Sequence, residues 1–188
     1  MKKQLKFLSL LSVMSWIGAL NVYAQEWTLS SQSLISFDIK SLGISVVNGK
    51  FTQVQSKMNF QISDFKQAST EFILNVESVE INRSSLKKKI LGKDLFYVEK
   101  YKTIVFKSTH FKKIEKNKYY IYGMLTIRGV TKPVIFETIL KPDDQNSEKL
   151  DVLATTIIKR SDFGMQPAVA GIGENVNIQV KGVWVSNE

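Results

Sequence analysis

From about residue 25 onward, apolar and polar side chains alternate with a period of two, segment after segment. Ile35, Phe37 and Ile39 alternate with Ser36, Asp38 and Lys40, and Val176, Ile178 and Val180 alternate with Asn177, Gln179 and Lys181. Successive side chains of a strand point to opposite faces, so this beat specifies strands with one buried and one wet face. It continues through Met58, Phe60 and Ile62, through Phe72, Leu74 and Val76, through Ile104 and Phe106, and through Leu125 and Ile127. Roughly eight such segments are joined by turn-prone pieces such as Glu115-Lys116-Asn117-Lys118 and the stretch from Pro142 to Ser147. One stretch has helical spacing, from about Ser84 to Leu95, with Leu86, Ile90 and Leu91 on one side, Lys87 to Lys89 on the other, and Gly92 placed to end it. Many strands and one short helix leave an all-β antiparallel sandwich or closed barrel. An eight-stranded barrel is just wide enough inside for its own side chains or for one small ligand.

The first 24 residues follow another rule. Lys2, Lys3 and Lys6 precede an apolar run from Phe7 to Leu20, and Val22-Tyr23-Ala24 supplies small or apolar residues where signal peptidase cuts. The run is short of the ~20 residues a spanning helix needs, and Ser9, Ser12, Ser15 and Gly18 interrupt it. A cleavable signal over 1–24 and a single domain over 25–188 are expected. The chain has no cysteine, which excludes both acylation after the signal and a disulfide framework. A soluble periplasmic or secreted domain, stabilised by burial alone, is the expectation.

Residue inventory also limits chemistry. His110 is the sole histidine, and triads, histidine-rich metal sites and thiolate nucleophiles all need more than that. It is expected on the surface, at the end of the strand that holds Phe106. Asp143-Asp144 and the Glu77 and Glu80 pair lack the glycine and acceptor spacing of a calcium loop and read as solvated. No catalysis, metal or cofactor is expected. The net charge of +9 falls to +6 beyond the signal's three lysines. Such a balance favours anionic membrane surfaces or simply lysines on wet strand positions; nucleic acid is not an expected partner of an exported domain.

Four ordered motifs resemble the YceI-like family of exported polyisoprenoid-binding proteins. They are Leu42-Gly43 through Gly49-Lys50-Phe51; Asp94 through Tyr101 followed by Ile104 to Ser108; Gly123-Met124-Leu125-Thr126-Ile127-Arg128-Gly129-Val130-Thr131-Lys132-Pro133-Val134; and Ile158 through Met165. The resemblance implies a lipocalin-like antiparallel barrel whose elongated pocket takes an isoprenoid chain, such as a quinone tail or a polyprenyl lipid. Where the family often carries histidines, near the first strand and before the Leu-Gly turn, this chain has Gln32-Ser33 and Lys40-Ser41. If those histidines hold a ligand head group in the family, the resemblance implies that this contact is lost or replaced here.

Inward parity nominates Phe37, Phe60, Phe72, Leu74, Phe106, Ile121, Leu125 and Phe136 as pocket lining, with Leu95 and Phe96 covering one mouth. Arg160 is a candidate head-group donor or the structural partner of a carboxylate such as Asp162 or Glu99. The expected function is non-catalytic binding, storage or transport of a long apolar lipid in the periplasm, as monomer or homodimer. Its rival is a solid basic barrel that docks on membrane or protein without cargo. Periodicity does not separate a filled barrel from a hollow one.

Overall fold

A computed structural model describes residues 25–41, 44–166 and 173–187. The expected signal and the Leu42-Gly43 turn lie outside the described residues. The strands are β1 (Glu26–Leu29), β2 (Leu34–Ser41), β3 (Ile44–Phe51), β4 (Val54–Asn59), β5 (Ser69–Asn75), β6 (Val79–Ile81), β7 (Thr103–Glu115), β8 (Lys118–Ile127), β9 (Val130–Pro142), β10 (Lys149–Lys159) and β11 (Asn175–Asn187). The helix α1 (Ser84–Leu91) lies between β6 and β7.

Hydrogen-bonded neighbours run β1-β4-β5-β7-β8-β9-β10-β11, and β11 returns to β1, so eight antiparallel strands close a barrel. Closure leaves no unpaired edge in this ring. The other three strands, β2, β3 and β6, branch from β11. Trp184 to Asn187 of β11 pair with β1, while Val176 to Lys181 pair with β2. One long strand thus serves both halves of the barrel.

Alternation decides which side chains enter. In β10, Leu150, Val152, Ala154 and Ile158 are buried while Asp151, Leu153, Thr155 and Ile157 face outward. Tight turns hold the register: Arg128 and Gly129, with φ of 53° and 72°, form the two-residue link from β8 to β9. Positive φ at both central residues is the turn whose twist matches the flanking strands.

Several sequence expectations need correction in detail. Helix α1 ends at Leu91, with the Gly92 N–H donating to the Lys89 carbonyl at 3.1 Å, so the helix does not reach Leu95. β4 ends at Asn59, which leaves Ile62 beyond the strand and 49% exposed. His110 is exposed as expected but sits inside β7, at a register shift after Ser108, with its ring stacked on Tyr122 at 4.2 Å. An exposed polar face between Lys107 and Glu115 hides the strand's full length from an inward-beat search.

Candidate ligand-binding cavity

The two ends of the barrel are built differently. At one end Phe60 packs between Phe111 (centroids 6.1 Å apart) and Tyr119 (5.6 Å), and Phe65 of the 3-10 turn Phe65–Gln67 meets Tyr119 at 6.0 Å. Trp27 donates its Nε1–H to the Phe60 carbonyl at 3.0 Å. Desolvation in this plug raises the Tyr119 phenol above its ordinary value.

Beyond the plug the interior opens. The cavity is lined from Met58, Thr70, Thr138 and Trp184 at its inner end to Ile90, Leu95, Phe96, Arg160 and Met165 at its mouth, and it exposes only apolar surface. β10 contributes lining from Val152 to Arg160; at about 3.3 Å per residue and ~40° of tilt, that run is roughly 20 Å deep. The cavity volume is about 130 Å³. Spread over that depth, so small a volume leaves little width. That is a narrow tube, suited to a single hydrocarbon chain.

Two glycines keep the tube open. A Cβ on Gly49 would stand 2.4 Å from the Phe37 ring, and one on Gly123 would stand 2.4 Å from the Phe106 ring. Those rings therefore lie over bare backbone along the wall, where a side chain at either position would drive them into the lumen. Edge contacts then fix them: Phe106 meets Phe136 at 5.1 Å, and Phe37 meets Phe51 at 5.8 Å and Phe96 at 6.3 Å. Phe72 meets Trp184 at 5.5 Å.

Phe37, Phe72, Leu74, Leu95, Phe96, Phe106, Ile121, Leu125, Phe136 and Arg160 all line this cavity. Phe60 does not. It has the correct parity but falls one residue past β4, where the chain turns across the end of the barrel and the ring becomes part of the plug. Ile35, Ile39, Phe51, Ile104, Met58 and Trp184 also line the space; the alternation that named their neighbours marks Ile35, Ile39, Ile104 and Met58 equally, without saying at which height the barrel is hollow.

At the mouth, the segment after α1 folds back on the helix. Phe96 N–H donates to the Ile90 carbonyl at 2.9 Å and Val98 N–H to the Leu91 carbonyl at 3.0 Å, which brings Phe96 and Leu95 over the opening. Arg160, 5% exposed, donates from Nε to the Gly173 carbonyl at 3.1 Å and from Nη1 to the Gln166 carbonyl at 2.8 Å. Its carboxylate partner is Glu174, at 3.5 Å, and not Asp162 or Glu99. Hydrogen bonds from Ser161, then the Arg160 charge, hold the Glu174 carboxyl below the usual range against its partial desolvation. Arg160 is thus a staple of the rim.

A second staple escaped the sequence reading. Arg128, set by the positive-φ turn, donates to the carbonyls of Lys93 (3.0 Å), Asp94 (3.1 Å) and Gly164. It ties the segment that covers the mouth to the loop after β10. The Arg-Gly turn signal was present, but nothing in it says where the guanidinium reaches. Among the described residues, no group of three His, Asp or Glu side chains gathers as a metal would require.

A family model, the YceI-like domain, matches residues 27–184, which reaches into every strand of the closed ring. The chain belongs to the YceI-like family. Among similar proteins, a UPF0312 protein of Vibrio cholerae is 27% identical over 188 residues, covering 97% of this chain and 99% of that protein. One from Yersinia pestis is 30% identical, covering 81% and 82%. Solved structures share the fold: Burkholderia cenocepacia BcnA has a TM-score of 0.75 at 22% identity, covering 82% of this chain and 98% of that one. The YCEI protein of Campylobacter jejuni has a TM-score of 0.69 at 21%, covering 98% and 99%. A polyisoprenoid-binding domain from Saccharophagus degradans, implicated in plant cell wall breakdown, has a TM-score of 0.67 at 10%, covering 88% and 100%.

Proposed function

We propose that this YceI-like protein binds a long apolar lipid of the isoprenoid type, without catalysis, and stores or carries it in the periplasm. The observation that carries this reading is the narrow tube with an entirely apolar surface, plugged by interlocked rings at one end and covered at the other by the segment that follows α1. A water column in such a tube has no polar partners, so apolar contents are favoured over water. Burying each CH₂ contributes about 0.8 kcal/mol, so a five-carbon isoprene unit contributes roughly 4 before losses, against a net of about 1 for a head-group hydrogen bond. Affinity should follow chain length and thickness more than head group.

The polyisoprenoid-binding neighbour supports the cargo class, and the charged, apolar and small-residue order of residues 1–24 supports export. The lining supports binding without reaction: its polar side chains are Ser36, Thr70, Thr138 and Arg160, and Arg160 is engaged by the Gly173 and Gln166 carbonyls and by Glu174. Organic extraction of protein purified without detergent, followed by mass spectrometry, tests the reading. It predicts a stoichiometric prenyl-chain compound; repeated recovery of empty protein from cells rich in such lipids overturns it.

A further inference from the structure

The basic residues are not spread evenly around the barrel. Residues 25–188 carry +6, and the stretch 83–100 alone has six cations, Arg83, Lys87, Lys88, Lys89, Lys93 and Lys100, against the carboxylates Asp94 and Glu99, a net +4. That stretch is α1 and the segment covering the mouth. Ile90 turns inward to the cavity, and Lys88 and Lys89 in the last turn of the helix are exposed. Among the described residues, no carboxylate forms an ion pair with Arg83, Lys87, Lys88, Lys89 or Lys93. Elsewhere several lysines are paired, Lys50 with Glu80, Lys57 and Lys107 with Glu71, and Lys102 with Glu77, while Lys112, Lys113, Lys116 and Lys118 around the β7–β8 turn form no ion pair among the described residues. At the plugged end, Lys141 pairs with Asp144, and the loop beside the β7–β8 turn adds Asp143 and Glu148.

Beside the uncompensated lysines stands an aromatic pair. Tyr97 and Tyr101 meet edge to face at 5.9 Å, with the Lys100 ammonium 5.2 Å above the Tyr101 ring. Both tyrosines are half-buried. Lysine with tyrosine is the side-chain combination that suits the boundary between phosphate head groups and acyl chains.

We infer that the mouth end, α1 with its following segment, docks on the surface of an anionic lipid bilayer and turns the covered mouth of the cavity toward it. The purpose rests on the lipid-binding reading, since an apolar chain loses hydrophobic stabilisation at every step it spends in water. A mouth pressed to the head groups shortens that path. The charge asymmetry selects the orientation, because juxtamembrane lysines gain about 1 kcal/mol each near an anionic surface and the plugged end, with six lysines against four carboxylates over 112–118 and 141–149, carries a net +2, half the excess of the mouth.

Vesicle co-sedimentation of the chain beginning at Gln25, which holds every strand of the barrel, tests this. The probes are phosphatidylcholine vesicles with and without phosphatidylglycerol. Binding is expected only with phosphatidylglycerol and is expected to fall as salt is raised. The triple variant Lys87→Gln, Lys88→Gln, Lys89→Gln keeps helix propensity and should lose roughly a hundredfold in partition. The control Lys112→Gln, Lys113→Gln, Lys116→Gln, at the plugged end, should lose less than tenfold. Absence of binding to anionic vesicles, equal binding to neutral ones, or equal loss in the control overturns the docking face. Uptake of a fluorescent polyprenol from detergent, measured on the same variants, reads the cavity separately. Intact uptake with lost sedimentation supports docking as a distinct property, whereas absent uptake in every variant defeats the cargo reading and leaves docking to stand on sedimentation.

Discussion

The plugged and open ends of the barrel use the same residue types and the same inward parity, yet one is solid and the other hollow. Phe60, Phe111 and Tyr119 interlock ring against ring at the plugged end. In the middle, Phe37 and Phe106 carry similar bulk but lie flat over Gly49 and Gly123. Rings meet rings in both places, so what separates core from cavity is the backbone beneath them: Phe37 and Phe106 are seated over glycine, which holds them to the wall.

This comparison is sharpest under truncation. Phe60→Ala should cost about 3–5 kcal/mol, because it opens a void among tightly packed rings. Phe96→Ala, at the mouth beside existing free space, should cost less than half of that. Chemical denaturation of both variants measures the difference, and equal costs would mean that the mouth is as solid as the plug.

Gly123→Ala probes the wall itself. The added methyl would press on Phe106 and on the Lys107 carbonyl, 2.6 Å away, so a loss of about 1–3 kcal/mol is expected from overpacking. Uptake of a fluorescent polyprenol should fall as the ring tips into the lumen. Unchanged uptake in folded protein would contradict the role given to the glycine.

Much of the fold was legible in the sequence because period two has a strong physical cause: a one-residue slip would expose every inward side chain. Seven of the eight positions nominated by parity line the cavity for that reason, and the exception, Phe60, falls where the strand stops and parity loses its meaning. Hollowness was not legible. It depends on Gly49 and Phe37 being cross-strand partners, a pairing between distant residues that local pattern does not encode. The rim staples escaped for the same reason, since Arg128 reaches backbone carbonyls 34 to 36 positions away along the chain.

The smallest expected effect lies on the outer wall. Glu71 sits between Lys107 at 2.8 Å and Lys57 at 3.2 Å, and hydrogen bonds from Lys107 first and Lys57 second lower its pKa below the ordinary 4.5. A lowered carboxylate pKa adds stability above the unfolded-state value and loses it as pH falls through the folded-state value. Wild type should thus lose up to about 1 kcal/mol relative to Glu71→Gln as pH is lowered from neutrality to below 4.5, discounted for solvent screening. Parallel denaturation curves for the two proteins would contradict it, while cargo uptake should be indifferent to the substitution.

Solid and hollow interiors respond oppositely to added volume, and Ala154, buried on β10 and facing the cavity, is the place to add it. Ala154→Leu, read by thermal denaturation together with polyprenol uptake, tests the tube most directly. A melting temperature close to wild type with strongly reduced uptake is predicted, because the new methylenes occupy space meant for a chain. A destabilisation of about 1–3 kcal/mol, as in a filled core, with uptake unchanged would contradict the account.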